Sequence, residues 1–132
     1  SILQAMSTHV LIVEDDSDFA ESVSANLEYA GYGVVGIARS GLEAFQLCEK
    51  GRPDVALIDI GLEGAFDGIF LGEQLAERGI AVIYLTGRFD RALKEGREHA
   101  AGLLAKPCSL ADLTAAIDAA VAPASSRQRA SS

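Results

Sequence analysis

The sequence predicts an α/β fold in which a parallel sheet carries helices on both of its faces. Two observations support this prediction. Short apolar runs alternate along the chain with segments whose apolar residues recur at helical spacing, which is typical of repeated strand–helix units. The runs are also continuously apolar, which favours strands buried on both faces. At 132 residues the chain is long enough for one domain with a single core.

Five strands and five helices follow from this pattern. The predicted strands cover residues 10–13, 32–38, 54–59, 80–85 and 102–105. Ser40 and Ser109 each precede an acidic residue at capping-box spacing, Glu43 and Asp112, and so predict the starts of the second and last helices. Residues 61–68 are rich in glycine and predict a loop before the third helix. Residues 89–100 predict a polar, weakly amphipathic fourth helix.

Composition excludes several classes of protein. The chain is 49% hydrophobic and 23% charged, as in ordinary globular proteins, and its net charge of −8 argues against a nucleic-acid surface. We expect no membrane association, because no apolar run approaches the roughly 20 residues of a membrane span. Cys48 and Cys108 are far apart and form no metal motif, which favours a reducing, cytoplasmic location. His9 and His99 show no partner pattern.

Polar residues follow four of the five predicted strands. Glu14, Asp15 and Asp16 follow the first strand, and Asp59, Thr86 and Lys106 close the third, fourth and fifth. Ligands of open parallel sheets bind beyond the carboxyl ends of the strands. For each residue alone a structural role is plausible: Asp59 could cap a turn, Thr86 could simply favour a strand, and Lys106 could be solvated. Their joint placement instead indicates one functional site.

This set of residues suits phosphoryl transfer. A carboxylate such as Asp59 can attack phosphorus and form an acyl phosphate. Crowded carboxylates attract Mg²⁺, which offsets repulsion between two anionic reactants. Lys106 and the Thr86 hydroxyl can each contact a phosphoryl oxygen, and Gly87 leaves room for a close backbone N–H.

From about residue 9 to residue 121 the chain resembles a bacterial two-component response-regulator receiver domain. The resemblance rests on the acidic pair after the first strand, Asp59, Thr86 and the Lys106-Pro107 dipeptide. It implies a flavodoxin-like (βα)5 doubly wound parallel sheet of strand order 2-1-3-4-5. It also implies a phosphorylatable switch, not an enzyme in the ordinary sense, that assists its own phosphorylation and dephosphorylation.

The resemblance assigns roles to individual residues. It implies Asp59 as the phosphoacceptor, and Mg²⁺ bound by Asp15 directly, by Glu14 through water, by Asp59, and by the carbonyl of Gly61. Thr86, Gly87 and Lys106 would contact the phosphoryl group, and Lys106-Pro107 would be a cis peptide. The partners implied are a histidine kinase or histidine phosphotransfer protein and an unidentified downstream protein, which would bind the surface formed by strand 4, helix 4 and strand 5.

Several positions depart from the family pattern. Glu63 replaces the usual proline after the phosphoacceptor, Cys108 replaces an aromatic residue after Lys-Pro, and Leu103 replaces the aromatic residue that couples to the threonine. The segment between strands 4 and 5 is about two residues short. Thr-Gly without that aromatic partner is similar to a variant subgroup of stand-alone alphaproteobacterial receivers. We therefore expect the signal to pass through reordering of residues 87–100.

Three alternatives remain open. A flavin carrier would need a hydroxyl- and glycine-rich loop where residues 14–18 are acidic, and a phosphatase with an aspartate nucleophile would need Asp-x-Asp after the first strand. A degenerate receiver would bind partners without phosphorylation. We predict a disordered start over residues 1–6 that includes an expression remnant ahead of Met6, a receiver domain over 7–122 and a disordered tail over 123–132.

Overall fold

The computed structural model describes residues 8–60, 67–87 and 92–122, in which five strands alternate with helices. The elements, in chain order, are β1 (His9–Val13), α1 (Ser17–Tyr29), β2 (Gly33–Ala38), α2 (Gly41–Lys50), β3 (Val55–Ile58), α3 (Gly68–Glu77), β4 (Ala81–Thr86), a π-helix (Ala92–Gly96), β5 (Gly102–Ala105) and α4 (Leu110–Val121). The predicted strand boundaries differ from these by at most one residue at either end, within the usual uncertainty at strand and helix ends.

The five strands form one parallel sheet in the order β2-β1-β3-β4-β5, which confirms the order implied by the resemblance. Val13 of β1 pairs with Ile58 of β3, so the residues that follow them leave the sheet side by side. At the other side of β3, Thr86 of β4 pairs with Ala105 of β5. This register brings the polar ends of β1, β3, β4 and β5 to one edge of the sheet.

Apolar residues cover both faces of the sheet, as continuous apolar strands predict. Leu11, Ile58 and Tyr84 face α2 and α3, whereas Ile12, Leu57 and Ile83 face α1 and α4. Successive strand residues thus alternate between two cores. The central strands are therefore held rigidly from both sides.

Side chains cap the helices where the sequence predicts. Ser40 accepts a hydrogen bond from the Glu43 N–H (3.2 Å), and Ser109 accepts one from the Asp112 N–H (3.0 Å). The Asp16 carboxylate accepts one from the Phe19 N–H (3.1 Å) and so begins α1. These caps satisfy backbone donors that the first helical turn leaves unpaired.

The fourth helix predicted over residues 89–100 is present in its described part only as a short π-helix. Residues 92–96 form a five-residue π-helix, a turn follows at 97–99, and residues 88–91 lie outside the described ranges. Gly96 explains part of the difference: it packs against Tyr84, where an added Cβ would lie 2.5 Å from the ring atom Cε2. Glycine also weakens a helix, and this segment has few apolar residues to stabilise one.

Other predictions fall on residues that the structure does not describe. They are the metal-binding carbonyl of Gly61, most of the loop over residues 61–68, the start of the chain and the tail. Within the described ranges, no helix is both long and apolar enough to span a membrane.

Candidate functional site

Glu14 and Asp59 follow neighbouring strands and are both buried, with 3% and 7% of their surface exposed. The Glu14 N–H donates to the Ala38 carbonyl (2.9 Å), and the Asp59 N–H donates to the Val13 carbonyl (3.0 Å). The sheet hydrogen bonding thus continues one residue past β1 and β3. It fixes the backbone of both acidic residues at the sheet edge.

Lys106 joins these two carboxylates. Its Nζ donates to Glu14 Oε1 at 2.8 Å and to Asp59 Oδ2 at 2.6 Å. Its own backbone N–H donates to the Thr86 carbonyl (2.9 Å), so the end of β4 holds the lysine in place. The Lys106–Pro107 peptide is cis, as the resemblance implies. Three predicted site residues from three different strands therefore meet at one point.

The electrostatics follow from burial and close contact. Burial raises the pKa of Glu14, and its neighbour Asp59 raises it further, whereas the hydrogen bond from Lys106 lowers it; the net effect is a raised pKa. For Lys106, burial alone would lower the pKa, but Asp59 and Glu14 outweigh that effect and hold the pKa above its ordinary value. The lysine is therefore a cation that partly neutralises a crowded anionic site.

Asp15 and Asp16, the two other acidic residues that follow β1, have different environments. Asp15 is exposed beside the buried pair. Asp16 caps α1, and its own N–H donates to Glu14 Oε2 at 3.2 Å. Asp16 therefore has a structural role, and Asp15 remains the candidate for contact with a hydrated cation.

Thr86 and Gly87 end β4 at the same edge. Thr86 is completely buried, whereas Gly87 is exposed. Among the residues that the structure describes, no atom lies within 4 Å of a Cβ added at Gly87, so their packing does not require a glycine there. Space for a group to approach the Gly87 backbone is thus present.

The donor chemistry at this edge fits Mg²⁺. Glu14 and Asp59 present carboxylate oxygens, the ligands that Mg²⁺ prefers, and exposed Asp15 lies next in the chain. Among the described residues, however, no three His, Cys, Asp or Glu side chains converge closely enough to hold a metal ion. Lys106 pairs with both carboxylates of the buried pair.

Two contacts near this edge were not predicted from the sequence. The Phe19 ring of α1 lies under Lys106, with Nζ 4.1 Å from the ring centroid. His99, to which no partner was assigned, has its Nε2 2.5 Å from the Tyr84 hydroxyl, which also donates to the Ile69 carbonyl at 3.1 Å. Both contacts join residues far apart in the chain, so local sequence patterns do not predict them.

Comparison with known proteins gives one consistent result. The family model described as response regulator receiver domain matches residues 10–118. The transcriptional regulatory protein PdtaR of Mycobacterium tuberculosis is 35% identical over 120 residues, which cover 89% of this chain and 58% of PdtaR. The phyllosphere-induced regulator PhyR of Methylorubrum extorquens is 34% identical over 118 residues, covering 88% of this chain and 44% of PhyR.

The fold comparison agrees with the sequence comparison. The receiver domain of PhyR from Erythrobacter litoralis, solved by NMR, superposes with a TM-score of 0.77 at 27% identity, covering 87% of this chain and 90% of that domain. The chain spans about half the length of the curated relatives it matches. The match therefore concerns one domain of those longer proteins.

Proposed function

Because the chain belongs to the response regulator receiver domain family, we propose that it is a phosphorylatable signalling switch with Asp59 as the phosphoacceptor. Receiver domains act in two-component signalling rather than as classical enzymes, and the PdtaR and PhyR matches are regulators by name. The observation that carries the proposal is the meeting of Glu14, Asp59 and Lys106 at the carboxyl edge of the sheet.

In the proposed reaction an Asp59 carboxylate oxygen attacks the phosphorus of a phosphohistidine on a histidine kinase or phosphotransfer protein. A bond from that oxygen to phosphorus forms as the bond from phosphorus to the imidazole nitrogen breaks, and the imidazole takes up a proton. Lys106, already 2.6 Å from Asp59, would pair with a phosphoryl oxygen. Thr86 would donate its hydroxyl to another, and the exposed Gly87 would offer its N–H.

Mg²⁺ would supply charge that reduces repulsion between the carboxylate and the incoming phosphoryl group. Asp15, Glu14 and Asp59 are the described side chains that would hold it, and the resemblance adds the Gly61 carbonyl. Lys106 is hydrogen-bonded to the buried carboxylates of Glu14 and Asp59. The exposed carboxylate of Asp15 is therefore the most accessible of the three to a hydrated cation.

The output of the switch would be a change of the surface formed by β4, residues 92–100 and β5. Thr86 gains a charge-assisted hydrogen bond only when the phosphoryl group is present, which is the differential contact that a switch requires. Leu103 is half-buried against the core beside Tyr84 and has no hydroxyl to report a movement of Thr86. The neighbouring π-helix is short, so it is suited to reorder.

Mass spectrometry after incubation with acetyl phosphate tests the assignment. We expect one added phosphoryl group in the native protein with Mg²⁺, none in EDTA, and none in Asp59→Asn. Asp54→Asn is the matched control, because Asp54 immediately precedes β3 whereas Asp59 immediately follows it. Persistent labelling of Asp59→Asn would contradict the proposal, and absence of labelling in the native protein would favour a degenerate receiver.

A further inference from the structure

The aromatic ring of Phe19 lies in the first turns of α1, next to the amine of Lys106. Nζ is 4.1 Å from the ring centroid, within the roughly 6 Å at which a cation is attracted to an aromatic face. The Lys106 side chain is 24% exposed, so water screens this attraction only in part.

In the part of the chain that the structure describes, the ammonium group of Lys106 has three contacts. Of its three N–H donors, two are used by Glu14 Oε1 and Asp59 Oδ2. Both carboxylates lie at the ends of sheet strands, whereas the ring of Phe19 belongs to a helix. The ring contact does not involve Asp59. Conversion of the Asp59 carboxylate into an acyl phosphate would therefore remove one hydrogen-bond partner of Lys106 but not the ring.

The position of Phe19 is itself fixed by the acidic cluster. The Phe19 N–H donates to the Asp16 carboxylate at 3.1 Å, and the Asp16 N–H donates to Glu14 Oε2 at 3.2 Å. The helix cap, the buried acid and the ring thus form one connected arrangement. Since Phe19 also packs against the core on the α1 side of the sheet, the ring has little freedom to leave Lys106.

We propose that Phe19 is a positioning residue for phosphoryl transfer, whose ring holds the Lys106 amine beside Asp59 through a cation–π contact. This inference rests on the proposed function, in which Lys106 pairs with a phosphoryl oxygen. Without the ring, the Lys106 side chain populates more conformations. A smaller fraction of the molecules then has the Lys106 amine placed to contact the phosphoryl group. A ring that served only to fill the core would have no such effect on the reaction.

Fluorination of the ring separates these two roles. Fluorine withdraws electron density from the aromatic face and weakens cation binding, while the shape of the ring changes little. Mono-, di- and trifluorophenylalanine at position 19 should lower the initial rate of phosphorylation by acetyl phosphate in graded steps, and Phe19→Leu should lower it about three- to tenfold. Phe19→Tyr should keep most of the rate. The matched control is the same fluorination at Phe45, whose ring lies 4.7 Å from the Arg78 guanidinium on α3's C-terminal side.

A second measurement does not depend on phosphorylation. In NMR spectra of the unmodified protein, the ε-methylene protons of Lys106 should be shifted upfield by the Phe19 ring current, and Phe19→Leu should remove the shift. Equal rates across the fluorinated series, or an unshifted methylene, would overturn the inference. If the native protein accepts no phosphoryl group, the proposed function fails as well; a normal rate in the native protein and in Phe19→Leu overturns the inference alone.

Discussion

At the scale of single residues, Lys106 is the cation on which two buried carboxylates depend. Glu14 and Asp59 lie 2.8 and 2.6 Å from its Nζ. We predict that Lys106→Met lowers the free energy of unfolding at neutral pH by about 1–2 kcal/mol, less than for a fully buried pair because the lysine is partly exposed. Urea denaturation measures the loss. Lys50→Met, at the exposed end of α2, should change stability by no more than about 0.5 kcal/mol.

The same variant should show a characteristic pH dependence. The pKa of Glu14 is raised in the folded protein mainly by burial, so ionisation of this acid opposes folding as the pH rises above about 4.5. Removing Lys106 takes away the contact that lowers this pKa, and the loss of stability should shrink as the pH falls toward 5. The pKa of Lys106 is raised too, so its own contribution is complete below 10.5 and is lost as the pH rises through the folded value. A loss that is the same at pH 5 and pH 7.5 would contradict this reasoning.

The sequence predicts most of this site because its residues end strands. A carboxylate or lysine directly after a buried apolar run must lie at the carboxyl edge of the sheet, and Glu14, Asp59 and Lys106 follow that rule. Phe19 could not be recognised in this way, because an apolar residue at helical spacing looks the same whether it fills a core or faces a cation. Its contact depends on how α1 is placed relative to the end of β5, which no local pattern encodes.

At the scale of elements, Tyr84 determines how β4 packs against its neighbours. The Tyr84 hydroxyl donates to the Ile69 carbonyl of α3. A Cβ added at Gly72 of the same helix would lie 2.0 Å from the Tyr84 hydroxyl oxygen. We predict that Gly72→Ala destabilises the protein by about 1–3 kcal/mol despite the better helix propensity of alanine. Thermal unfolding measures the effect. In Gly51→Ala the new Cβ meets no atom of the described residues within 4 Å, and we expect almost no change.

Within the surface formed by β4, residues 92–100 and β5, we expect residues 96–100 to respond to phosphorylation. The Ala100 N–H donates to the Gly96 carbonyl (3.0 Å), and His99 contacts the Tyr84 hydroxyl. A π-helix of five residues has low intrinsic stability. We predict that a beryllofluoride phosphate mimic changes hydrogen exchange at these amides, and that Tyr84→Phe accelerates it without the mimic.

A matched control for the Tyr84 variant lies on the other side of the sheet. Tyr32 donates its hydroxyl to Asp118 of α4 at 2.6 Å, so Tyr32→Phe removes a comparable hydrogen bond away from β5. Exchange at residues 96–100 should be unaffected by it. Equal protection of these amides with and without the phosphate mimic would show that the signal leaves by another route.

Helix type in this region could not be predicted from the sequence. The apolar spacing of residues 89–100 is too weak to define a buried face, so tertiary contacts decide the backbone. Here the decisive contact is Gly96 against the Tyr84 ring. The helix caps at Ser40 and Ser109, in contrast, depend on residues three positions apart, and both serines cap their helices as predicted.

At the scale of the whole molecule, the chain carries a net charge of −8, and part of that charge is concentrated at the carboxyl edge of the sheet. We predict that Mg²⁺ binds weakly to the unphosphorylated protein, because it keeps several waters and Lys106 already partners two of the carboxylates. Binding to the folded state alone should still raise the melting temperature by mass action.

The melting temperature should depend on Asp15 in this experiment. NaCl at matched ionic strength separates general screening of the acidic surface from binding at the site. Asp15→Asn should lose most of the increase specific to Mg²⁺, whereas Asp54→Asn, at the opposite edge of the sheet, should keep it. An Asp15→Asn protein that gains as much as the native one would contradict the assignment.

The strand order was predicted from the resemblance to receiver domains, because the alternation of strands and helices alone does not determine it. Alternating strands and helices predict a parallel sheet with two covered faces, and the two cores confirm that prediction. Several orders of five strands would satisfy the same alternation. The match of the residues at the strand ends to a known family selects one of them.

The buried position of Tyr84 has one further consequence, for spectroscopy. The chain contains no tryptophan and three tyrosines. Tyr29 is 91% exposed, whereas Tyr32 and Tyr84 are both buried: Tyr32 is hydrogen-bonded to Asp118, and Tyr84 touches α3, Gly96 and His99 on the other face of the sheet. The near-ultraviolet circular dichroism of the native chain, which depends on a fixed asymmetric environment around an aromatic ring, therefore carries an intrinsic signal from the face opposite α1 without any attached dye.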